Sequence, residues 1–187
     1  MVGESADRSL QSLADKLGQG VCPVNDWDPS HVADIDLRIS RDGTWYYEGS
    51  PIHRLRLVKL FASVMRRDDD DYYLVTPVEK LRIQVDHVPF IAVEMDQEGG
   101  GASQRLLFRT NVDDVVEASL RHPIRIVIDA STGEPSPYIL IRDRLEALIS
   151  RPVFYQMADL ALAGNDASSN KFGVWSCGYF FALEDAT

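Results

Sequence analysis

An α+β fold is predicted, with two small domains on mainly antiparallel sheets, each built from a repeated strand-strand-helix-strand unit. Three observations predict it. Short stretches of alternating, β-branched and aromatic residues outnumber stretches of helical period along the 187 residues. Turn signals such as Asp42-Gly43 separate them. An octet also recurs: R-L-R-L-V-K-L-F at 54–61 and R-D-R-L-E-A-L-I at 142–149 share arginine at the first and third positions and leucine at the fourth and seventh. Two predicted strands precede each octet. The expected organisation is an arm at 1–33, a first α+β domain at 34–110 and a second at 111–187.

In the arm, Leu10, Leu13 and Leu17 recur at helical spacing before Gly18 and Gly20 stop the helix. Ile35, Leu37 and Ile39 alternate with polar residues, and Asp42-Gly43 then turns the chain into the aromatic run Trp45-Tyr46-Tyr47. Ser50-Pro51 predicts a helix N-terminus, with Ser50 as cap and Pro51 at the first helical position, and the helix is expected to run to Arg67. Four strands are expected at 72–76, 79–85, 90–95 and 105–109, the last two joined through Gly99-Gly100-Gly101. No lysine or helix follows those glycines, so they form a hairpin loop and not a phosphate cradle. Asn111 is expected to cap a short helix over V-D-D-V-V-E-A-S. Strands at 124–128 and 138–140 follow, then a helix carrying the second octet, kinked or restarted at Pro152 and ending near Leu162. After the polar loop G-N-D-A-S-S-N-K, residues 172–183 read as strand, break and strand.

Charge and composition exclude several function classes. Nineteen basic against twenty-nine acidic residues give a net charge of −10, which disfavours binding to DNA and to anionic lipid. No apolar run approaches the roughly 20 residues of a membrane span, and the first residues lack a leader's apolar segment. Cys22 and Cys177 are too few and too far apart for a disulfide framework or a zinc site, so a reducing cytoplasm is the expected location. Asp68 to Asp71 fail as a calcium loop, because Tyr72 and Tyr73 stand where a ligand and the turn glycine belong. His31, His53, His87 and His122 lack metal-ligand spacing. No nucleophile elbow, P-loop or dinucleotide fingerprint occurs, so no metal or other cofactor and no catalytic residue is implied.

Candidate binding residues come from polar groups in unexpected places. On a helix from residue 50, Arg54 falls within the apolar face formed by Leu57, Val58, Phe61 and Met65. It must then pair with a strand carboxylate such as Glu79 or Glu94, or meet an anion at the helix N-terminus. Arg142 holds the equivalent place in the second octet. In the run Tyr73-Leu74-Val75-Thr76-Pro77-Val78-Glu79-Lys80 the proline breaks a strand, which re-aims Thr76, Glu79 and Lys80 or leaves them as a solvated break. Trp175 and Tyr179 offer rings for stacking on a base or sugar, or for a core.

The strings R-D-G-T-W-Y-Y-E-G-S-P-I-H-R and L-V-T-P-V-E-K resemble the signature region of the bacterial family known as domain of unknown function 1285. The later segments H-P-I-R-I-V-I-D and F-G-V-W-S-C-G-Y-F-F-A-L-E are similar to the remainder of that family. The resemblance covers about residues 34 to 184. It implies a two-domain α+β protein with a repeated motif, a nucleotide-like ligand in the cleft between the domains and a role in signal transduction; it implies no activity.

The expectation is therefore a small anionic, nucleotide-like ligand held in the cleft between the two domains by Arg54, Thr76, Glu79, Lys80, Arg142 and Trp175. A protein-interaction scaffold is the alternative, and a hydrolase acting on phosphate compounds, with Glu79 and Lys80 as its acid and base, is the third reading.

Overall fold

The computed structural model describes residues 22–164 and 172–184. The predicted arm helix at Leu10, Leu13 and Leu17 lies outside the described residues, as does most of the loop after residue 164. The chain divides into two units, Met1–Pro89 and Phe90–Thr187. The boundary expected after residue 110 instead falls at the end of a strand within the second sheet.

The first unit contains β1 (His31–Ile39), β2 (Trp45–Tyr47), β3 (Ser50–Pro51), α1 (Leu55–Ser63), β4 (Met65–Asp68), β5 (Asp71–Val75) and β6 (Glu79–Val85). These strands lie in the order β3-β2-β1-β6-β5-β4, and every neighbouring pair is antiparallel except β1 with β6. Asp42-Gly43 turns β1 into β2 as predicted, with Gly43 in the left-handed region at φ 82°. Leu37, Ile39, Trp45, Met65, Leu74, Leu81 and Ile83 are buried, as are Leu57, Val58, Phe61 and Ala62 of α1. The rings of Trp45 and Phe61 stack with centroids 6.4 Å apart.

The helix is shorter than predicted at both ends. Ser50 and Pro51 are edge strand β3, where proline's missing N–H is harmless, so Ser50 caps nothing. Arg54 is the N-cap residue, with extended backbone and an exposed side chain, and does not lie on the helix's apolar face. Residues 65–67 leave the helix because Met65, Arg66 and Arg67 pair with Leu74, Tyr73 and Tyr72. A helical apolar period at Val64 and Met65 is overridden by a strand partner several residues ahead.

The second unit contains β7 (Phe90–Glu98), β8 (Arg105–Thr110), β9 (Val115–Glu117), β10 (Ile124–Ile128), β11 (Pro135–Arg142), β12 (Leu145–Ile149), α2 (Arg151–Gly164), β13 (Gly173–Ser176) and β14 (Tyr179–Ala182). Its sheet runs β10-β11-β12-β7-β8-β9, with β7 and β12 parallel, and β13 and β14 form a separate hairpin. Asn111 caps no helix; its Oδ1 accepts the Ile91 N–H at 3.0 Å, and 115–117 is a strand. The second octet is likewise not helical. Arg142 ends β11, Asp143 turns at φ 47°, and Leu145–Ile149 is β12. Helix α2 starts only at Arg151, with Pro152 in its first turn where no N–H is required.

Duplication is present in the sheets and not in the octets. Read from its other end, the second sheet is β9-β8-β7-β12-β11-β10, the same order as β3-β2-β1-β6-β5-β4. The register agrees to the residue: Arg66 pairs with Tyr73 as Arg125 pairs with Tyr138. The Val75 N–H bonds to the Val64 carbonyl as the Leu140 N–H bonds to the Pro123 carbonyl. On this register the second octet matches the β5–β6 turn and β6, whereas the first octet is α1.

Candidate functional site

The structure gathers one group of charged and aromatic side chains on the face of the first sheet opposite α1. Alternation along β6 sends Leu81 and Ile83 into the core and leaves Lys80 and Arg82 on the other face. Arg66 on β4, Tyr73 on β5, Arg82 on β6 and Asp34 on β1 form one row across four strands. Lys80 stands one row away, opposite Val75 and Val32.

These groups are connected. The Lys80 ammonium lies 4.0 Å from the Tyr73 ring centroid and 2.6 Å from an Asp68 carboxylate oxygen. Asp68 also accepts hydrogen bonds from Arg66 Nε and Nη2 at 2.9 Å each. Arg66 is itself held by its Nη1, which donates to the carbonyls of Val24 and Trp27 at 2.8 Å each. Partial burial pushes the Asp68 carboxyl up, but hydrogen bonds and charge from Arg66 and Lys80 outweigh it and hold the group below its usual range. Arg82 Nε donates to Asp34 Oδ1 at 2.7 Å, and its Nη1 lies 3.9 Å from Asp71. Beside this row is a cavity of about 260 Å³ lined by Val32, Ala33, Asp34, Tyr73 and Arg82.

The duplicated register supplies an internal comparison. The row Arg66–Tyr73–Arg82–Asp34 corresponds to Arg125–Tyr138–Leu148–Ile91 in the second sheet. There Arg125 lies 4.1 Å over the Tyr138 ring and makes two hydrogen bonds to Glu146, at 2.6 and 2.7 Å. Of the cavity-lining positions, Arg82 and Asp34 correspond to aliphatic Leu148 and Ile91, while Tyr73 and Ala33 correspond to the aromatic residues Tyr138 and Phe90, and Lys80 corresponds to an acid, Glu146.

The residues singled out from sequence divide into groups. Thr76 is buried and serves its own turn: Oγ1 accepts the Val78 and Glu79 N–H groups at 3.3 and 3.0 Å and donates to the Glu79 carbonyl. Glu79 opens β6, half-buried, and Lys80 follows with its side chain on the opposite face. The Lys80 ammonium goes to Asp68. Arg54 is exposed at the start of α1, its carbonyl accepting the Leu57 and Val58 N–H groups. In the second unit, Arg142 Nη1 donates to Asp114 at 2.6 Å and the guanidinium lies 5.2 Å from the Phe90 ring centroid. Trp175 is 48% exposed on β13, edge-on to Phe180 at 5.4 Å. Glu94, one partner considered for Arg54, bonds to Arg109.

Sequence reasoning missed Tyr73, Arg82 and Asp34. The alternation K-L-R-I-Q-V already placed Lys80 and Arg82 on one face. Asp34 lies 48 residues away in sequence, and only the parallel β1–β6 register brings it there.

Among the described residues, no three or more His, Cys, Asp or Glu side chains are grouped to hold a metal ion. No helix there is long and apolar enough to cross a membrane.

The chain matches two family models: a domain of unknown function (DUF1285), N-terminal domain, at residues 22–88, and a protein of unknown function (DUF1285), C-terminal domain, at residues 89–183. Their junction lies within a residue of the structural boundary. A crystal structure of a DUF1285 family protein from Silicibacter pomeroyi DSS-3 is 46% identical, covers 95% of each chain and superposes with a TM-score of 0.85. Another, from Shewanella baltica OS155, is 25% identical over 66% of this chain and 91% of that one, with a TM-score of 0.53. No curated protein sequence matches.

Proposed function

Because the chain belongs to the DUF1285 family, whose name carries no activity, we propose from its own geometry that it is a binding module for a small anionic metabolite. The ligand sits in the cavity beside Tyr73 and Arg82. One observation carries this. Where the first sheet has Arg82, Asp34 and an open cavity, the second repeat has Leu148 and Ile91 at the same register positions. A sheet needs no charged pair at this place, so the charged version is the specialised one.

The chemistry suits a phosphate or carboxylate. Arg82 offers a planar fork of donors, and Lys80 a second cation, already positioned over Tyr73. Both cations have carboxylate partners, but the Arg82–Asp34 pair is 49% and 73% exposed. Such pairs contribute only about 0–1 kcal/mol, so an anionic ligand displaces Asp34 at little cost. A cavity of about 260 Å³ holds one sugar phosphate or one base and not a dinucleotide. Thr76 supports the site by fixing the turn that delivers Lys80, whereas Arg54 at the start of α1 and Glu79 on the other face of β6 stay outside its lining. Arg142 on Phe90 and the exposed Trp175 are the corresponding candidates of the second unit. A signalling role follows if occupancy is read by a partner protein.

Thermal unfolding with a panel of nucleotides, sugar phosphates and dicarboxylates, each against its uncharged parent, tests the proposal. A ligand at 100 times its Kd adds about 2.7 kcal/mol of stability. Arg82→Leu, which installs the second repeat's residue at an exposed site, leaves the fold intact and abolishes the shift. If no anion stabilises the protein, or Arg82→Leu leaves the shift unchanged, the proposal fails.

A further inference from the structure

A second cavity lies in the second unit, lined by different residues from the first. A groove of about 440 Å³ runs between β7 and α2, lined by Met95, Gln97, Gln156, Asp159, Leu160 and Ala163. Residues 156, 159, 160 and 163 follow helical spacing, so one stripe of α2 faces Met95 and Gln97 across the groove. This stripe lies beside the helix's core stripe of Val153, Met157 and Ala161, all of which are buried. The groove is therefore a gap flanking a packed helix-sheet contact.

Its chemistry is one-sided. Met95, Leu160 and Ala163 provide apolar walls, and among the described residues no lining residue is basic. Asp159 is exposed and makes no ion pair among the described residues. Across from it, Gln97 uses its Nε2 to donate to Gln104 Oε1 at 2.9 Å, which leaves Gln97 Oε1 as an acceptor. The polar groups available to an occupant are a carboxylate and amide oxygens beside an apolar wall, and the chain's net charge of −10 attracts cations in general.

The geometry points to a site for a small primary amine carried on an apolar body, its ammonium between Asp159 and Gln97 and its body against Met95 and Leu160. A protonated amine has three donors for those acceptors. Desolvating the apolar body supplies the rest of the affinity, and the volume falls within the usual range of about 300–1,000 Å³ for small-molecule sites. An anion of the same shape meets Asp159 and is rejected.

Titration calorimetry and heteronuclear NMR on the whole chain test this with three probes of one shape: 2-phenylethylamine, 2-phenylethanol and 3-phenylpropionate. The amine is expected to bind saturably and shift the amide signals of residues 95–97 and 156–163, while the acid does not bind. Asp159→Asn and Ala163→Trp, both at exposed positions, should each weaken the amine about tenfold or more, equivalent to about 1.4 kcal/mol. The first removes the charge and the second fills the groove. The proposal is overturned if the amine does not bind, if alcohol or acid binds as tightly, or if amine binding survives both substitutions.

Discussion

Lys80 illustrates how a side chain's partners matter more than its neighbours in sequence. It follows Glu79 directly, yet its ammonium bonds to Asp68 and covers Tyr73. Asp68 has its carboxyl held low by Arg66 and Lys80, against the effect of burial. A carboxylate with a depressed folded value contributes stability that is fully present above its unfolded value, about 3.9, and lost as pH falls through the folded value. Lys80→Met removes one of the two cations, so the folded value rises and acid unfolding begins at higher pH. Urea midpoints measured across the acid range should show the variant's loss starting earlier; superimposable profiles would mean that Arg66 alone holds Asp68. Thr76 makes a different kind of contribution. Thr76→Val keeps the shape but leaves the Val78 and Glu79 N–H groups without their acceptor. A loss of about 1–3 kcal/mol in chemical denaturation is expected.

At the scale of elements, the β13–β14 hairpin depends on Gly173 for space. A Cβ on Gly173 would overlap the Phe181 carbonyl oxygen and come 2.5 Å from Phe180 Cζ. Gly173→Ala must therefore push Phe180 away from the strand and disturb the Trp175–Phe180 contact. The near-ultraviolet dichroism of the tryptophans should change and the protein should lose stability by more than the ±0.5 kcal/mol of an ordinary surface substitution. Helix α1 has nine residues and no side-chain cap, too short to persist alone, so its stability comes from packing. Phe61 is fully buried against Trp45, and Phe61→Ala should cost about 3–5 kcal/mol, readable as a drop in denaturation midpoint. A much smaller loss would mean that the core collapses around the gap.

At the scale of the molecule, each unit is two three-stranded meanders joined through one parallel pair, β1–β6 in the first and β7–β12 in the second. Those central strands have partners on both sides, while β3, β4, β9 and β10 are edges. Native-state hydrogen exchange should therefore show slowest exchange in β1, β6, β7 and β12 and faster exchange at the four edges. Uniform protection across each sheet would contradict this view of how the units are held.

The sequence by itself determined the α+β class, the presence of two domains, most strands and the Asp42-Gly43 hairpin. Those features are local: a period of two and a turn dipeptide act within a few residues. Tertiary structure alone decided the rest. The octet at 142–149 has helical spacing but forms a turn and a strand, because β11 and β7 lie on either side to pair with it. Arg54 left the apolar face once Ser50 and Pro51 paired with Tyr47 and Tyr46 and delayed the helix. The row of Arg66, Tyr73, Arg82 and Asp34 exists only because a parallel pairing joins residues 48 apart. Helical period marks which side chains are apolar, but a strand's partners come from distant segments, so a short apolar run takes the conformation its neighbours can hydrogen-bond.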